Sequence, residues 1–319
     1  NVTSFHGDPS RVLLIGQSGG ARDVNALATC NTPEGLFSRV AVHSAPLGLK
    51  PLGELRSQTE LLVAEMGCAA APDVVACMRA VSPDALVLAE ASKPQGLASG
   101  AYLPTVDGHL CTAQPLDVIK GGKYRGTPMI LGTMNDEYSH RWSGITAQAY
   151  PGLVSSAVGA QNAPKVLEQY PLSRFPSATV AYTEMMSDRN VSCPHRRYAV
   201  AAAQAGVPLY FYRFREVLRE EARLGYGAYH TSDFLFFFQH MNGAAFPVSD
   251  SNRTAQDVML RYWMRFAAEG TPSGGADPPW PMFTTSAQDY LSVEATPSVG
   301  QRLKEEDCNF WDALLGLGP

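Results

Sequence analysis

The stretch "RVLLIGQSGG", residues 11–20, decides how the rest of the chain is read. An apolar run, Val12 to Ile15, passes into Gly16-Gln17-Ser18-Gly19-Gly20. A buried strand that stops at a serine held between glycines is either a tight turn or a nucleophile elbow. In an elbow the strand breaks sharply into a helix and the serine stands exposed at the carboxyl end of a sheet. The glycines answer a steric demand, because such a turn crowds its flanks and strains the serine. The pattern G-x-S-x-G is short and recurs by chance, so its context has to decide.

Around that stretch, apolar runs alternate with helical patterns. Val12 to Ile15, Val40 to Val42, Pro128 to Leu131 and Val207 to Tyr212 read as short buried strands. Gly20 to Ala28, Glu54 to Met66, Pro72 to Ala80, Ala147 to Val158 and Pro194 to Ala205 read as helices. In "TAQDVMLRYWMRFAAEG", residues 254–270, Val258, Tyr262 and Phe266 line one helical face and Gly270 supplies the stop. A late strand, "QDYLSV", and a closing helix from Glu305 to Leu315 complete the pattern. Strands separated by helices imply a mostly parallel sheet covered on both faces, whose ligands bind beyond the carboxyl ends of the strands. Both Ser18 and the segment "NDEYSH" after Leu131 fall there.

Composition narrows the function classes. The chain has 319 residues, 45% hydrophobic, with a net charge of −5, which gives no electrostatic footprint for nucleic acid. No apolar run approaches the length of a membrane span, and no stretch has signal-peptide organisation. Asn1 stands in mid-pattern, so the chain reads as a fragment or a processed product. The cysteines at 30, 68, 77, 111, 193 and 308 form no metal-ligand spacing, so no metal and no cofactor is expected. Their even number, with N-x-S/T sequons at Asn1, Asn190 and Asn252, tilts the compartment towards the secretory pathway or the extracellular space.

A serine hydroxyl needs an imidazole to take its proton, and the imidazole needs a carboxylate to fix its tautomer. After an elbow serine these follow in the order acid, then histidine. Asp136 and Glu137 both sit at the right strand end. Among the histidines that follow Ser18 within reach of that order, His140 is too near the acid in sequence to lie across the site. His195, beside Arg196 and Arg197 at a helix start, reads as a solvated cap. His230, in a glycine-containing loop before an aromatic run, suits the base, with His240 as the alternative.

At this point the chain resembles the carboxyl-terminal part of the type-B carboxylesterase family, which includes cholinesterases, carboxylesterases and fungal lipases. "FHGDPSRVLLIGQSGG" resembles the family's F-G-G-D-P-x-x-V-T-x-x-G-E/Q-S-A-G, and "LPTVDG" (103–108) its P-V-I/V-D-G. "ILGTMNDEYS" (130–139) resembles the segment that carries the catalytic Glu, and "GAYHTSDFLFFF" (227–238) the one that carries the His. "YWMRFAAEGTPSG" followed by "WPMF" matches two further motifs in the same order.

The resemblance implies an α/β-hydrolase fold forming one domain over residues 1–319. The family's first strands and its glycine-rich oxyanion loop lie upstream of the elbow and have no counterpart here. It implies Ser18 as nucleophile, Glu137 as acid, His230 as base and the Gly19 N–H as one oxyanion donor. It implies disulfides Cys68–Cys77 and Cys193–Cys308, and leaves Cys30 and Cys111 without an assigned partner. The expected activity is hydrolysis of a small-molecule or lipid carboxylic ester through an acyl-enzyme. The alternative is a catalytically silent binding module, since some family members serve adhesion or folding. Gly19 for Ala and Tyr138 for Gly are departures from the family pattern, and Gln17 stands where many members have Glu. The small residues Ala98, Ser99 and Gly100 precede the Val106-Asp107-Gly108 motif and imply a roomy acyl side. Oligomeric state is not legible.

Overall fold

The computed structural model describes residues 1–91, 103–219, 224–241, 244–245 and 248–317. Ala98, Ser99 and Gly100 lie outside the described residues. The main sheet has six strands: β1 (Leu13–Gln17), β2 (Arg39–His43), β3 (Met129–Met134), β4 (Leu209–Phe214), β5 (Asp289–Val293) and β6 (Ser298–Gln301). They lie side by side in chain order. The first five are parallel and only β6 runs antiparallel to its neighbour.

The two-residue period of a strand explains how the sheet is covered on both faces. Ala41, Ile130, Tyr210 and Tyr212 face one side, against Val258, Tyr262, Trp263 and Phe266 of the helix Asp250–Glu269 and against Phe236. Val40, Val42, Met129, Leu131, Leu209 and Phe211 face the other side. There they meet Ala21 and Val24 of the helix Gly19–Thr29, and Tyr198 and Ala202 of the helix Cys193–Gln204. Every residue of β3 is buried, as a strand covered twice must be. The helix Asp250–Glu269 ends where expected, with Gly270 left-handed at φ 79° and its N–H on the Phe266 carbonyl.

Outside the sheet, the helices Tyr150–Val158, Ala163–Gln169, Ala178–Ser187 and Glu305–Leu314 form a separate apolar cluster. A five-residue π turn, Asp188–Ser192, joins the helix Ala178–Ser187 to the helix Cys193–Gln204 almost without a break. The architecture is the mostly parallel, helix-flanked sheet of an α/β-hydrolase. Among the described residues β1 has one neighbour in the sheet, β2.

Candidate active site

Strand β1 ends at Gln17, and Ser18 takes φ 54° and ψ −115°, a backbone conformation that costs a non-glycine residue of order 1–3 kcal/mol. The turn is held from the neighbouring strand, because the Ser18 N–H donates to the His43 carbonyl at 2.9 Å. A Cβ on Gly16 would strike the Gly20 carbonyl, so the first glycine of the motif is a steric necessity. Gly19 and Gly20 face open space, with nothing within 4 Å of where a Cβ would stand. Gly19 opens the helix Gly19–Thr29, so its N–H has no acceptor within the helix and sits at the positive end of the helix dipole. The replacement of the family's Ala by Gly19 is therefore not forced by crowding.

Glu137 and His230 meet beside this elbow. His230 Nδ1 lies 2.7 Å from Glu137 Oε2, and the His230 N–H donates to the Glu137 carbonyl at 3.0 Å. The carboxylate is 1% exposed, and its other oxygen, Oε1, accepts from Ser44 Oγ at 2.6 Å and from the Met134 N–H at 2.8 Å. Three donors on one buried carboxylate make its charge tolerable in the interior and fix its orientation. With Nδ1–H committed to Glu137, the lone pair of His230 is on Nε2. Gln17 Nε2 stands 3.3 Å from that nitrogen and fills it as donor. No hydrogen bond joins Ser18 Oγ to His230 among the described residues, so the arrangement has a paired carboxylate and imidazole beside the elbow serine.

Asp136 is the neighbouring carboxylate, and it does other work. Its Oδ2 accepts the Ala228 N–H at 2.9 Å and its own N–H donates to the Ala228 carbonyl at 2.9 Å, which pins the loop carrying His230. Gly227, at φ 65°, has no room for a side chain because a Cβ would run into that same carboxylate. His140 stacks on His230 with centroids 6.5 Å apart and planes at 13°. Burial first, then Arg141 and His230, lower the His140 pKa below the ordinary imidazole value. Tyr138 also borders His230, at 6.2 Å between centroids; burial first and Glu137 second push its phenol up. His240 begins a two-residue strand, His240–Met241.

His195 corrects the reading of a solvated cap. It is fully buried, its Nδ1–H donates to the Val191 carbonyl at 2.8 Å, and its Nε2 accepts the Ala45 N–H at 3.0 Å. Burial, offset in part by the Val191 bond, pushes its pKa down to about 4. It thereby braces the segment that presents Ser44 to Glu137. Ser44 itself was missed from the sequence. It follows a strand at the carboxyl end of the sheet and holds φ at 50°, both of which mark functional positions. A second buried pair was also missed: His43 Nδ1 lies 2.7 Å from Asp233 Oδ2, which also accepts from Tyr212 Oη at 2.9 Å. His43 Nε2 accepts from Trp263 Nε1 at 3.1 Å, so this imidazole is spent on packing the floor under the elbow.

Cysteines pair as Cys68–Cys77, Cys193–Cys308 and Cys30–Cys111. The last ties the end of the helix Gly19–Thr29 to the loop after the short strand Thr105–Val106. Asn1 is exposed and Asn190 half-buried. Asn252 does not suit a glycan. It is 3% exposed, and its Nδ2 donates to Glu216 Oε1 at 2.6 Å and to the Val217 carbonyl at 2.9 Å. No group of three or more His, Cys, Asp or Glu among the described residues is arranged to hold a metal ion. No helix among them is long and apolar enough to cross a membrane.

A model of the carboxylesterase family matches residues 1–311. The chain is 25% identical over 351 residues to carboxylesterase 5A of Canis lupus familiaris, covering 99% of this chain and 59% of that protein. It is 24% identical over 352 residues to carboxylesterase 3 of Homo sapiens, covering 99% and 60%. It is also 26% identical over 340 residues to the crystal protein of Dictyostelium discoideum, covering 98% and 61%. The chain thus spans about three fifths of the length of these curated relatives. It belongs to the carboxylesterase family.

Proposed function

From membership of that family, we propose that this chain carries the catalytic groups of a serine carboxylic-ester hydrolase, with Ser18 as nucleophile, His230 as base and Glu137 as acid. The observation that supports it most is the 2.7 Å bond between His230 Nδ1 and a buried, triply bonded Glu137 beside a strained elbow serine. In this reading Ser18 Oγ displaces the Gln17 amide at His230 Nε2 and attacks the ester carbonyl as Nε2 takes its proton. A bond forms between Oγ and the acyl carbon. His230 returns the proton to the departing alkoxide as the ester C–O bond breaks, and a water deprotonated by the same nitrogen then releases the acid and restores the serine. The Gly19 N–H contributes to the oxyanion hole. The substrate is a small-molecule or lipid ester, and residues 1–319 act as one domain. Three disulfides favour an oxidising, secretory compartment, with Asn1 and Asn190 as the sequons open to a glycan.

One observation favours a silent binding module instead: the lone pair meant for the Ser18 proton is occupied by Gln17. A fluorophosphonate probe separates the two readings. The hydrolase forms a Ser18 adduct, found by peptide mass spectrometry and absent from Ser18→Ala. A folded chain that takes up no probe supports the module.

A further inference from the structure

At the end of the sheet opposite Ser18, a cavity of about 560 Å³ lies between the helix Cys193–Gln204 and the C-terminal helix Glu305–Leu314. Gln288, which immediately precedes β5, lines it, so it opens where the parallel strands begin. Glu137 and Ser18 sit where they finish. Its charge runs against that of the protein: among the described residues Lys120, Arg196 and Arg197 line it with Asp312 as the one lining carboxylate, in a chain of net charge −5. Asp312 is already held by Arg197, through both Nε and Nη2.

Arg196 is the informative residue. Its side chain is 8% exposed, a depth at which a guanidinium ordinarily faces a carboxylate. Here its hydrogen-bond partners are neutral amides, Gln288 Oε1 at 3.0 Å from Nε and Asn309 Oδ1 at 3.0 Å from Nη1. The nearest carboxylate, Glu305, stands 3.9 Å from Nη2 and is bonded to Arg302 at 2.7 Å. Nη2 therefore has Glu305 only at ion-pair distance and protons left to give, with no hydrogen-bond acceptor among the described residues. Asn309, having turned its oxygen to Arg196, has its amide N–H groups left to donate. Val200, Ala201 and Ala313 supply an apolar strip alongside.

We propose that this cavity binds a small organic carboxylate, its two oxygens on Arg196 Nη2 and the Asn309 amide, its hydrocarbon arm along the apolar strip, and Lys120 closing the rim. Nη2 offers one oxygen a charge-assisted N–H and the Asn309 amide offers the other a neutral one. The proposal is independent of ester hydrolysis at Ser18.

Octanoate is the probe, titrated into the full 319-residue chain by calorimetry, with the side-chain amide resonances of Asn309, Gln288 and Gln17 followed by NMR. Saturable binding that shifts Asn309 and Gln288 is expected. Arg196→Gln should weaken it by about tenfold or more, and the exposed Lys120→Gln by about threefold with thermal unfolding unchanged in the latter. Should Arg196→Gln fail to fold, Arg196→Lys and the exposed Lys120→Gln decide. Absence of binding at millimolar octanoate, affinity unchanged in the variants, or shifts at Gln17 instead of Asn309 would overturn the assignment. So would a preference for inorganic phosphate over octanoate.

Discussion

Glu137 is held by three donors, and only one of them, His230 Nδ1, belongs to the proposed chemistry. Glu137→Gln keeps the shape and the Ser44 and Met134 contacts nearly satisfied, yet an amide can stabilise the wrong imidazole tautomer and cannot balance an imidazolium. The expected outcome is a folded protein whose kcat on a p-nitrophenyl ester falls by about 10⁴, as in an equivalent change in another serine triad, with circular dichroism unchanged. Wild-type turnover in that variant would dismiss Glu137 from the site. Gln17 calls for the opposite result. Its amide occupies the lone pair that Ser18 needs, and a net hydrogen bond of about 1 kcal/mol corresponds to about a fivefold bias. Gln17→Met removes the donor at nearly constant volume, so the second-order rate of fluorophosphonate labelling should rise by about that factor. A rate that stays level or falls would mean that Gln17 does not compete. At this scale the sequence was legible where a residue's conformation is fixed by its neighbours in the chain, as for the strand-to-helix turn at Ser18. Ser44, Gln17 and the His43–Asp233 pair were not legible as partners, because their contacts depend on which way side chains from distant strands point.

The helix Cys193–Gln204 shows what an element adds to its residues. Pro194 marks a helix start in the sequence and sits in the first turn of this one. From the sequence, His195 beside two arginines looks solvent-facing. In the fold the helix follows directly on the π turn Asp188–Ser192, with Arg196 and Arg197 turned towards the C-terminal helix and His195 buried in the core. The element was legible and its facing was not, since a five-residue π turn leaves no periodic signal. Likewise β6, mostly exposed and without alternation, carried nothing that marks a strand. Burial of His195 has a measurable consequence. Its pKa falls from 6.5 to about 4 on folding, so between those values the unfolded chain binds the proton and the native one does not. The contribution to stability is therefore fully present above about pH 6.5 and is lost as pH falls towards 4, by about 3 kcal/mol in all. Asp188, which burial pushes up to about 6, acts with the opposite sign over an overlapping range. The diagnostic is thus the difference between wild type and His195→Gln in urea unfolding from pH 7 to pH 4. The variant should lose stability less steeply on acidification. Parallel pH profiles would show that His195 titrates alike in both states.

At the scale of the whole molecule, the parallel sheet and its two helical layers followed from runs of apolar residues, because strands covered on both faces need apolar residues at every position. Which strand ends up at the edge does not follow from such runs. In the described residues β1 is that edge. The Val12 carbonyl and the Ser18 N–H face β2, so the strand's alternation turns the backbone groups of Leu13, Ile15 and Gln17 outward. Leu13 and Ile15 pack on one core and Leu14 on the other, all three only partly buried. An unpaired edge flanked by apolar residues on both faces is a template for another strand. Curated relatives are longer, the chain matching 59–61% of the length of those named above, and the 319-residue polypeptide is the relevant species for this test. It is expected to self-associate through β1, with a sedimentation coefficient that climbs with concentration. Leu13→Pro deletes one outward N–H at the first residue of the strand, a position where proline is tolerated, and leaves every bond to β2 in place. It should shift the distribution towards monomer without lowering the unfolding midpoint by more than a few degrees. A single monomeric species at all concentrations, or association indifferent to Leu13→Pro, would show that β1 is not where copies of the chain meet.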